Sequence, residues 1–421
     1  MNNRDISYNN YYKQIFADHW DSFRRHFPWY DTDHINNLVE SMLNCGNPKY
    51  MGYAEYRCMH CGKGCKVVSL SCKCYLCLSC GKVHTDNWVF QVCNSFFSGM
   101  CYRHVVLTMP SLLCEICFRE SCLLKALPGY GVSCLKSFYN TIKRKKLDAG
   151  FVVVLQTHGR NGSYNVHLHI IATSGGLDKN NRWHEITYFP YNELHRLWQN
   201  YLLAMLKAEL GDKADVYISI FREEYPNGFV AYIDTKNRLN NYAALATYLA
   251  KYVVAPPISV RRIKEYDGNN VEYIYKSHKT EKIETEYVDA FTFIERMIKH
   301  ILPKGFKRIR YYGLHLPAKA NKVRGLLEQV LRYSGRIIKN TVKIIQKLNY
   351  RKRYKESVGT DPLICPYCGL EMELWVMHHP DYGVFYEGYT EYHEILYDKK
   401  EEEVNDKKIE FSNTEQMLLA F

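Results

Sequence analysis

Val166-His167-Leu168-His169-Ile170-Ile171-Ala172-Thr173 is the stretch that decides how this chain is read. A β-strand sends successive side chains to opposite faces. Val166, Leu168 and Ile170 then enter a core, while His167 and His169 share the other face, a geometry suited to a divalent metal ion. Just upstream, Phe151 to Thr157 reads as a second strand, followed by Gly159-Arg160-Asn161-Gly162-Ser163. Asn-Gly is the strongest short hairpin signal. A tight turn there sets Gln156 opposite His167 and His158 opposite Asn165, with Gln156 and His158 on the histidine face. His167, His169 and Gln156 would leave positions open for a phosphate oxygen and water, and such nitrogen- and oxygen-rich sites suit magnesium or manganese. His158 is the alternative third ligand, or a group that orients one.

Outward from this hairpin the pattern is α+β: an antiparallel sheet flanked by helices, with an N-terminal zinc-ribbon module and a basic helical C-terminal region. Arg103 to Met109 is expected as a strand closed by Pro110, and residues 111–147 as helical. Residues 191–210 carry an amphipathic helix, and 214–221, 228–234 and 271–276 read as strands. Helices are expected over 287–302 and 320–355, the second with Lys or Arg on most turns. Tyr248-Leu249-Ala250-Lys251-Tyr252 lies in a helical stretch, 239–254, that must stop before Pro256-Pro257. Tyrosines four apart share one helix face. The domains expected are a helical segment at 1–44, broken near Pro28, a zinc-binding domain at 45–95, the sheet domain at 96–315, a basic helical region at 316–360, and a knuckle with a tail at 361–421.

Residues 45–93 are rich in cysteine and short of periodicity. Cys58-Met59-His60-Cys61 and Cys77-Leu78-Ser79-Cys80 are two Cys-x2-Cys knuckles, the pairing of a zinc ribbon. Cys45 and Cys72 are candidate further ligands, with Cys65, Cys74, His60 and His84 nearby. Cys365-Pro366-Tyr367-Cys368-Gly369 is another knuckle, with His378 as its candidate partner.

The chain carries 16 cysteines, and its N-terminus lacks the apolar core of a signal peptide. A cytoplasmic setting is expected, with the thiols as ligands or core residues. No apolar run approaches the ~20 residues that span a bilayer. A formal charge of +12 points to an anionic partner, nucleic acid first; neither a membrane nor a small-molecule substrate is expected. A minority of the 36 tyrosines can serve as stacking platforms for unpaired bases. Together, the histidine strand and the tyrosine helix are the equipment of an enzyme that nicks single-stranded DNA. Tyr248 or Tyr252 would attack phosphorus to form a 5′-phosphotyrosine, and the metal would polarise the phosphate.

These residues resemble those of the rolling-circle insertion-sequence transposases of the IS ninety-one type, which have the histidine-hydrophobe-histidine (HUH) nuclease fold. Tyr56-Arg57-Cys58-x2-Cys61 and Ser71-Cys72-Lys73-x3-Cys77-x2-Cys80-Gly81 resemble the family's zinc domain. Arg103 to Pro110 resembles its first strand, and Val154 to Gly159 with His167-Leu168-His169 resembles its metal hairpin. Tyr248 to Tyr252 resembles its paired-tyrosine motif, and Leu302 to Gly313 its downstream signature, which holds Lys304, Lys307, Arg308 and Arg310. The resemblance implies a transposase with Tyr248 and Tyr252 as nucleophiles and His167 and His169 as ligands, acting on single-stranded or hairpin element ends and target DNA. Lys251 and the four basic residues of the signature are candidate DNA contacts. The alternatives are a replication initiator or relaxase with the same chemistry, and an inert zinc-dependent DNA-binding protein. Oligomeric state is not legible in the sequence.

Overall fold

The computed structural model describes residues 10–97, 100–234, 256–277, 280–333 and 349–388. Along the chain the elements are α1 (Tyr11–His26), α2 (Asp33–Leu43), α3 (Pro48–Met51), β1 (Tyr53–Arg57), β2 (Cys65–Ser69), α4 (Leu78–Ser95) and β3 (Tyr102–Thr108). They continue with α5 (Ser111–Arg119), α6 (Ser121–Lys143), β4 (Gly150–His158), β5 (Tyr164–Thr173), β6 (Gly175–Leu177), β7 (Trp183–Glu185), α7 (Tyr191–Leu210), α8 (Ala214–Glu224) and β8 (Ala231–Ile233). Beyond lie β9 (Ile263–Tyr266), β10 (Asn270–Lys276), β11 (Ile283–Asp289), α9 (Ala290–Ile298), β12 (Ile309–Gly313), α10 (Pro317–Tyr333), α11 (Tyr350–Val358), β13 (Glu373–His379) and β14 (Gly383–Glu387). Two units divide them, one drawn from Met1–Pro28 and His84–Ile345, the other from Trp29–Val83 and Gln346–Phe421.

The first unit is built on a five-stranded antiparallel sheet of order β12-β4-β5-β3-β8. Strand alternation divides its residues cleanly. Val105, Leu107, Phe151, Val153, Leu155, Val166, Leu168 and Ile170 face one way and pack on apolar residues of α5, α6 and α7. On the other face, Tyr102, Val152, Val154 and Ile171 pack with Trp88 and Val92 of α4 and Val323 and Leu327 of α10. The rest of that second face carries His104, Gln156, His158, His167 and His169.

A second sheet, β11-β10-β9, belongs to the same unit. Amphipathic α1, capped by the Asn10 side chain on Lys13 N–H, buries Tyr12, Ile15, Phe16, Trp20 and Phe23. Tyr12 meets Phe293 of α9 edge-on, with ring centroids 6.2 Å apart. The other unit holds the sheet β14-β13-β1-β2, in which β1 pairs with β2 on one side and with β13 on the other.

Several elements differ from the sequence expectation. Residues 214–221, expected as a strand, form α8. Their Val-x-Ile-x-Ile alternation is incidental, because Val216 is 67% exposed while Ala214 and Phe221, two helical turns apart, are buried. Gln199 of α7 donates its amide N–H groups to the Phe221 and Tyr225 carbonyls and so caps the helix end. The aperiodic cysteine region ends in α4, an 18-residue helix. The helix expected from 287 starts at Ala290, because 283–289 pairs as β11 and Asp289 caps the helix on Thr292 N–H. Of the expected 320–355 helix, α10 and α11 are described, and residues 334–348 lie outside the described residues.

Candidate metal centre and cysteine clusters

In the β4–β5 register Gln156 stands opposite His167 and Val154 opposite His169, as strand alternation requires. The register shifts after Gln156, so His158 pairs with Tyr164 rather than the expected Asn165. The turn causes this. Gly162 N–H bonds the Gly159 carbonyl at 3.2 Å, Gly159 N–H bonds the Ser163 carbonyl at 2.9 Å, and Gly162 adopts a left-handed φ of 80°. The loop is therefore longer than a two-residue turn and has the glycine bulge of such loops.

Three donor atoms converge above this hairpin. Gln156 Oε1 lies 2.9 Å from His167 Nε2 and 2.6 Å from His169 Nε2, and the two imidazole nitrogens are 3.1 Å apart. Each ligand candidate is oriented from behind. His167 Nδ1 donates to the Asn165 carbonyl at 2.9 Å. His169 Nδ1 lies 2.8 Å from His104 Nε2, with the two rings stacked. The Gln156 amide nitrogen lies 3.2 Å from His158 Nε2, which turns the amide oxygen toward the histidine pair. His158 thus stands behind Gln156 rather than among the converging atoms.

Burial sets the protonation. It holds His169 well below its ordinary pKa, with the charge of His167 adding to the effect. It holds His104 down to about 4, against an opposing pull from Asp234. Both imidazoles are therefore neutral at pH 7, the form that binds metal.

Sequence reasoning missed His104 and His300. His104 sits inside an apolar strand pattern, where a single histidine carries no spacing signal. His300 follows α9 and donates Nε2–H to the Gly162 carbonyl at 3.0 Å, while Thr157 Oγ1 lies 3.2 Å from its Nδ1. It braces the turn, and no local motif marks it.

The basic residues of the 302–313 signature divide. Lys304 and Lys307 are exposed. Arg308 Nε donates to the Leu155 carbonyl at 2.9 Å, and Arg310 donates to the Lys125 carbonyl at 2.7 Å with its guanidinium over Phe306. Tyr248, Lys251 and Tyr252 lie outside the described residues.

The cysteines form two clusters rather than one ribbon site. Sγ atoms of Cys45, Cys72, Cys77 and Cys80 all lie within 4.8 Å of one another, as do those of Cys58, Cys61, Cys365 and Cys368. The expected pairing of Cys58 and Cys61 with Cys77 and Cys80 fails for a geometric reason. Strand β2 returns antiparallel from Cys65, opposite Arg57, to Ser69, opposite Tyr53. The chain thus reaches Cys72 from the strand end farthest from Cys58. His378, the expected partner of Cys365 and Cys368, also lies at that far end, opposite Tyr53, on which its ring stacks at 5.3 Å.

An antiparallel sheet flanked by helices in one unit and cysteine clusters that fit structural metal in the other define a class of α+β protein with a zinc-binding module. Comparison with known proteins gives that class a family. Residues 150–323 match a family described as putative transposase, and residues 15–109 match the transposase zinc-binding domain. The chain is 28% identical over 346 residues to the transposase for insertion sequence element IS801 of Pseudomonas savastanoi pv. phaseolicola, covering 79% of this chain and 82% of that protein. It is 24% identical over 377 residues to a putative transposase of Sinorhizobium fredii, covering 83% and 92%. No solved structure matches. Both matched regions and both relatives are those of transposases, and together they support an IS91-type transposase. Its matched zinc-binding domain includes Cys45, Cys72, Cys77 and Cys80, whose clustered thiols fit a structural zinc ion. DNA is the partner such an enzyme implies. Among the described residues no helix is long and apolar enough to cross a membrane.

Proposed function

We propose that this transposase cuts and rejoins single-stranded DNA through a covalent 5′-phosphotyrosine on Tyr248 or Tyr252, the chemistry of rolling-circle transposition. The observation that carries the reading is the convergence of His167 Nε2, His169 Nε2 and Gln156 Oε1 within 3.1 Å of one another. Nitrogen and oxygen donors of this kind fit magnesium or manganese and leave room for a phosphate oxygen and water. A cation held there supplies Lewis-acid polarisation of the scissile phosphate.

The protein's own groups do the rest. Asn165, His104 and His158 hold the three donors in their working orientation. In this reading Gln156 is the third ligand and His158 its positioning residue. The tyrosine hydroxyl loses its proton and attacks phosphorus. The bond from phosphorus to the 3′ oxygen breaks, leaving a 3′-OH on one end and the phosphate on tyrosine. Bond energy is conserved, so a 3′-OH can reverse the step and join a different strand. Two tyrosines hold two ends in turn. Lys251, Lys304 and Lys307 contact phosphates. Arg308 and Arg310, already committed to carbonyls, contribute chiefly charge.

The test is incubation of the full chain with labelled single-stranded element-end DNA and magnesium or manganese, resolved on a denaturing gel. A slow-migrating adduct that disappears in the Tyr248→Phe, Tyr252→Phe double variant is expected. Tight binding without an adduct under either metal would leave an inert DNA-binding protein. The likeness to transposases favours this reading over an initiator or relaxase.

A further inference from the structure

We propose that Cys58, Cys61, Cys365 and Cys368 hold a second zinc ion, a discontinuous site that fastens the C-terminal knuckle to the β1–β2 hairpin. Cys365 and Cys368 lie outside both regions matched to known families, which end at residue 323. Cys61 and Cys365 are 304 positions apart in the chain.

The strand register brings the knuckles together. Strand β1 ends at Arg57, immediately before Cys58, and Arg57 pairs with Glu373 at the start of β13. The knuckle that feeds β13 therefore opens at the same end of the sheet as the knuckle that follows β1. Each has the same local build. Gly62 N–H bonds the Cys58 carbonyl at 3.0 Å, and Gly369 N–H bonds the Cys365 carbonyl at 3.0 Å. Gly62 and Gly369 adopt left-handed φ values of 66° and 74°. Cys58 N–H bonds the Gly64 carbonyl, and Cys365 N–H bonds the Leu370 carbonyl. Two loops of one design thus face each other, each offering two thiols.

Sulfur geometry fits a tetrathiolate centre. Cys58 to Cys368, Cys61 to Cys58 and Cys61 to Cys365 are 3.4, 3.6 and 3.6 Å apart. Zinc–sulfur bonds near 2.3 Å give tetrahedral edges of about 3.8 Å, whereas a disulfide brings sulfurs to about 2.05 Å. All four cysteines are free thiols. The surroundings pack closely on the cluster. Met372 packs against Cys58 and Cys365, and Gly64 lies so close that a Cβ there would stand 2.5 Å from Cys365 Sγ. Four thiols collected at this density make poor hydrogen bonds to one another, and a cation resolves that as four thiolates. A zinc ion here closes a loop that includes the whole sheet domain.

Metal analysis of the purified full chain is expected to give two zinc ions per chain. The Cys365→Ser, Cys368→Ser variant should carry one, and Cys65→Ser, which alters an exposed thiol outside both clusters, should carry two. Peptide-level alkylation of the unaltered protein under graded chelator covers the case in which the double variant misfolds. Cys58, Cys61, Cys365 and Cys368 should resist N-ethylmaleimide and then become reactive together, independently of Cys45, Cys72, Cys77 and Cys80. One zinc per chain with these four thiols freely reactive overturns the site. So does protection of Cys58 and Cys61 that survives loss of Cys365 and Cys368, or protection lifted by reductant instead of chelator.

Discussion

His167, His169 and Gln156 stand on adjacent strands joined by a short turn, whereas Cys58 and Cys61 meet Cys365 and Cys368 across most of the chain. The first set is held by register and by hydrogen bonds with Asn165, His104 and His158. Its atoms converge on one face of the sheet, while the opposite face packs on helices. In the second set and in the Cys45 cluster, four sulfurs lie within 4.8 Å of one another, the donor number of a closed tetrahedral site. Open nitrogen and oxygen donors suit turnover, and closed thiolate sets suit fastening. The two sets thus differ both in donor type and in sequence distance, and the proposed function assigns chemistry to the first.

The largest test of that separation is Cys77→Ser. It should cost the first zinc ion and, with binding coupled to folding, a stabilisation on the order of 10 kcal/mol in the module that ion organises. Zinc content and proteolysis of the 29–83 region would check it. His169→Ala should do the reverse, lowering adduct formation by roughly 10²-fold or more while zinc content and melting temperature stay near the parent values. Loss of zinc in that variant would erase the distinction.

A pH series sharpens it further. Burial holds His315 at about 4, with its ring stacked 4.8 Å from Phe97 in the dry half of the sheet face. An unfolded histidine takes up its proton below about pH 6.5. Between there and pH 4 the unfolded state binds more protons. The stability tied to this group is full above pH 6.5 and is lost as pH falls, by on the order of 3 kcal/mol at pH 4. His315→Phe should flatten the fall in melting temperature over that range, and an unchanged slope would refute the assignment. Smaller effects are expected behind the ligands. His158→Ala should weaken metal-dependent cleavage by about 10-fold to 100-fold, recovered in part by raised metal concentration. Gly64→Ala, which crowds Cys365, should cost about 1–3 kcal/mol and release one zinc at lower chelator concentration.

The legibility of the two regions follows their sequence distance. Alternation alone placed His167 and His169 on one face and set Gln156 against His167, because period-two geometry acts over a few residues. It misplaced His158, since the extra length of the Gly159–Ser163 turn depends on where Gly162 takes its left-handed conformation. Alternation also misread Val216, Ile218 and Ile220, whose helix is fixed by capping from Gln199, a residue on another element. The cysteine pairings were beyond reach. Cys-x2-Cys spacing marks a knuckle, but its partner is chosen by which strands lie side by side. Only the β1–β13 pairing shows that Cys58 belongs with Cys365 rather than Cys77.

Strand β12, residues 309–313, completes the sheet edge beside β4, and Leu155 N–H bonds the Arg308 carbonyl. During synthesis, then, the strands carrying Gln156, His167 and His169 emerge from the ribosome well before the strand that covers their edge. A growing chain holds the donors but lacks the finished sheet that fixes them. The donor cluster therefore becomes fully ordered only after residues 309–313 have been made and paired.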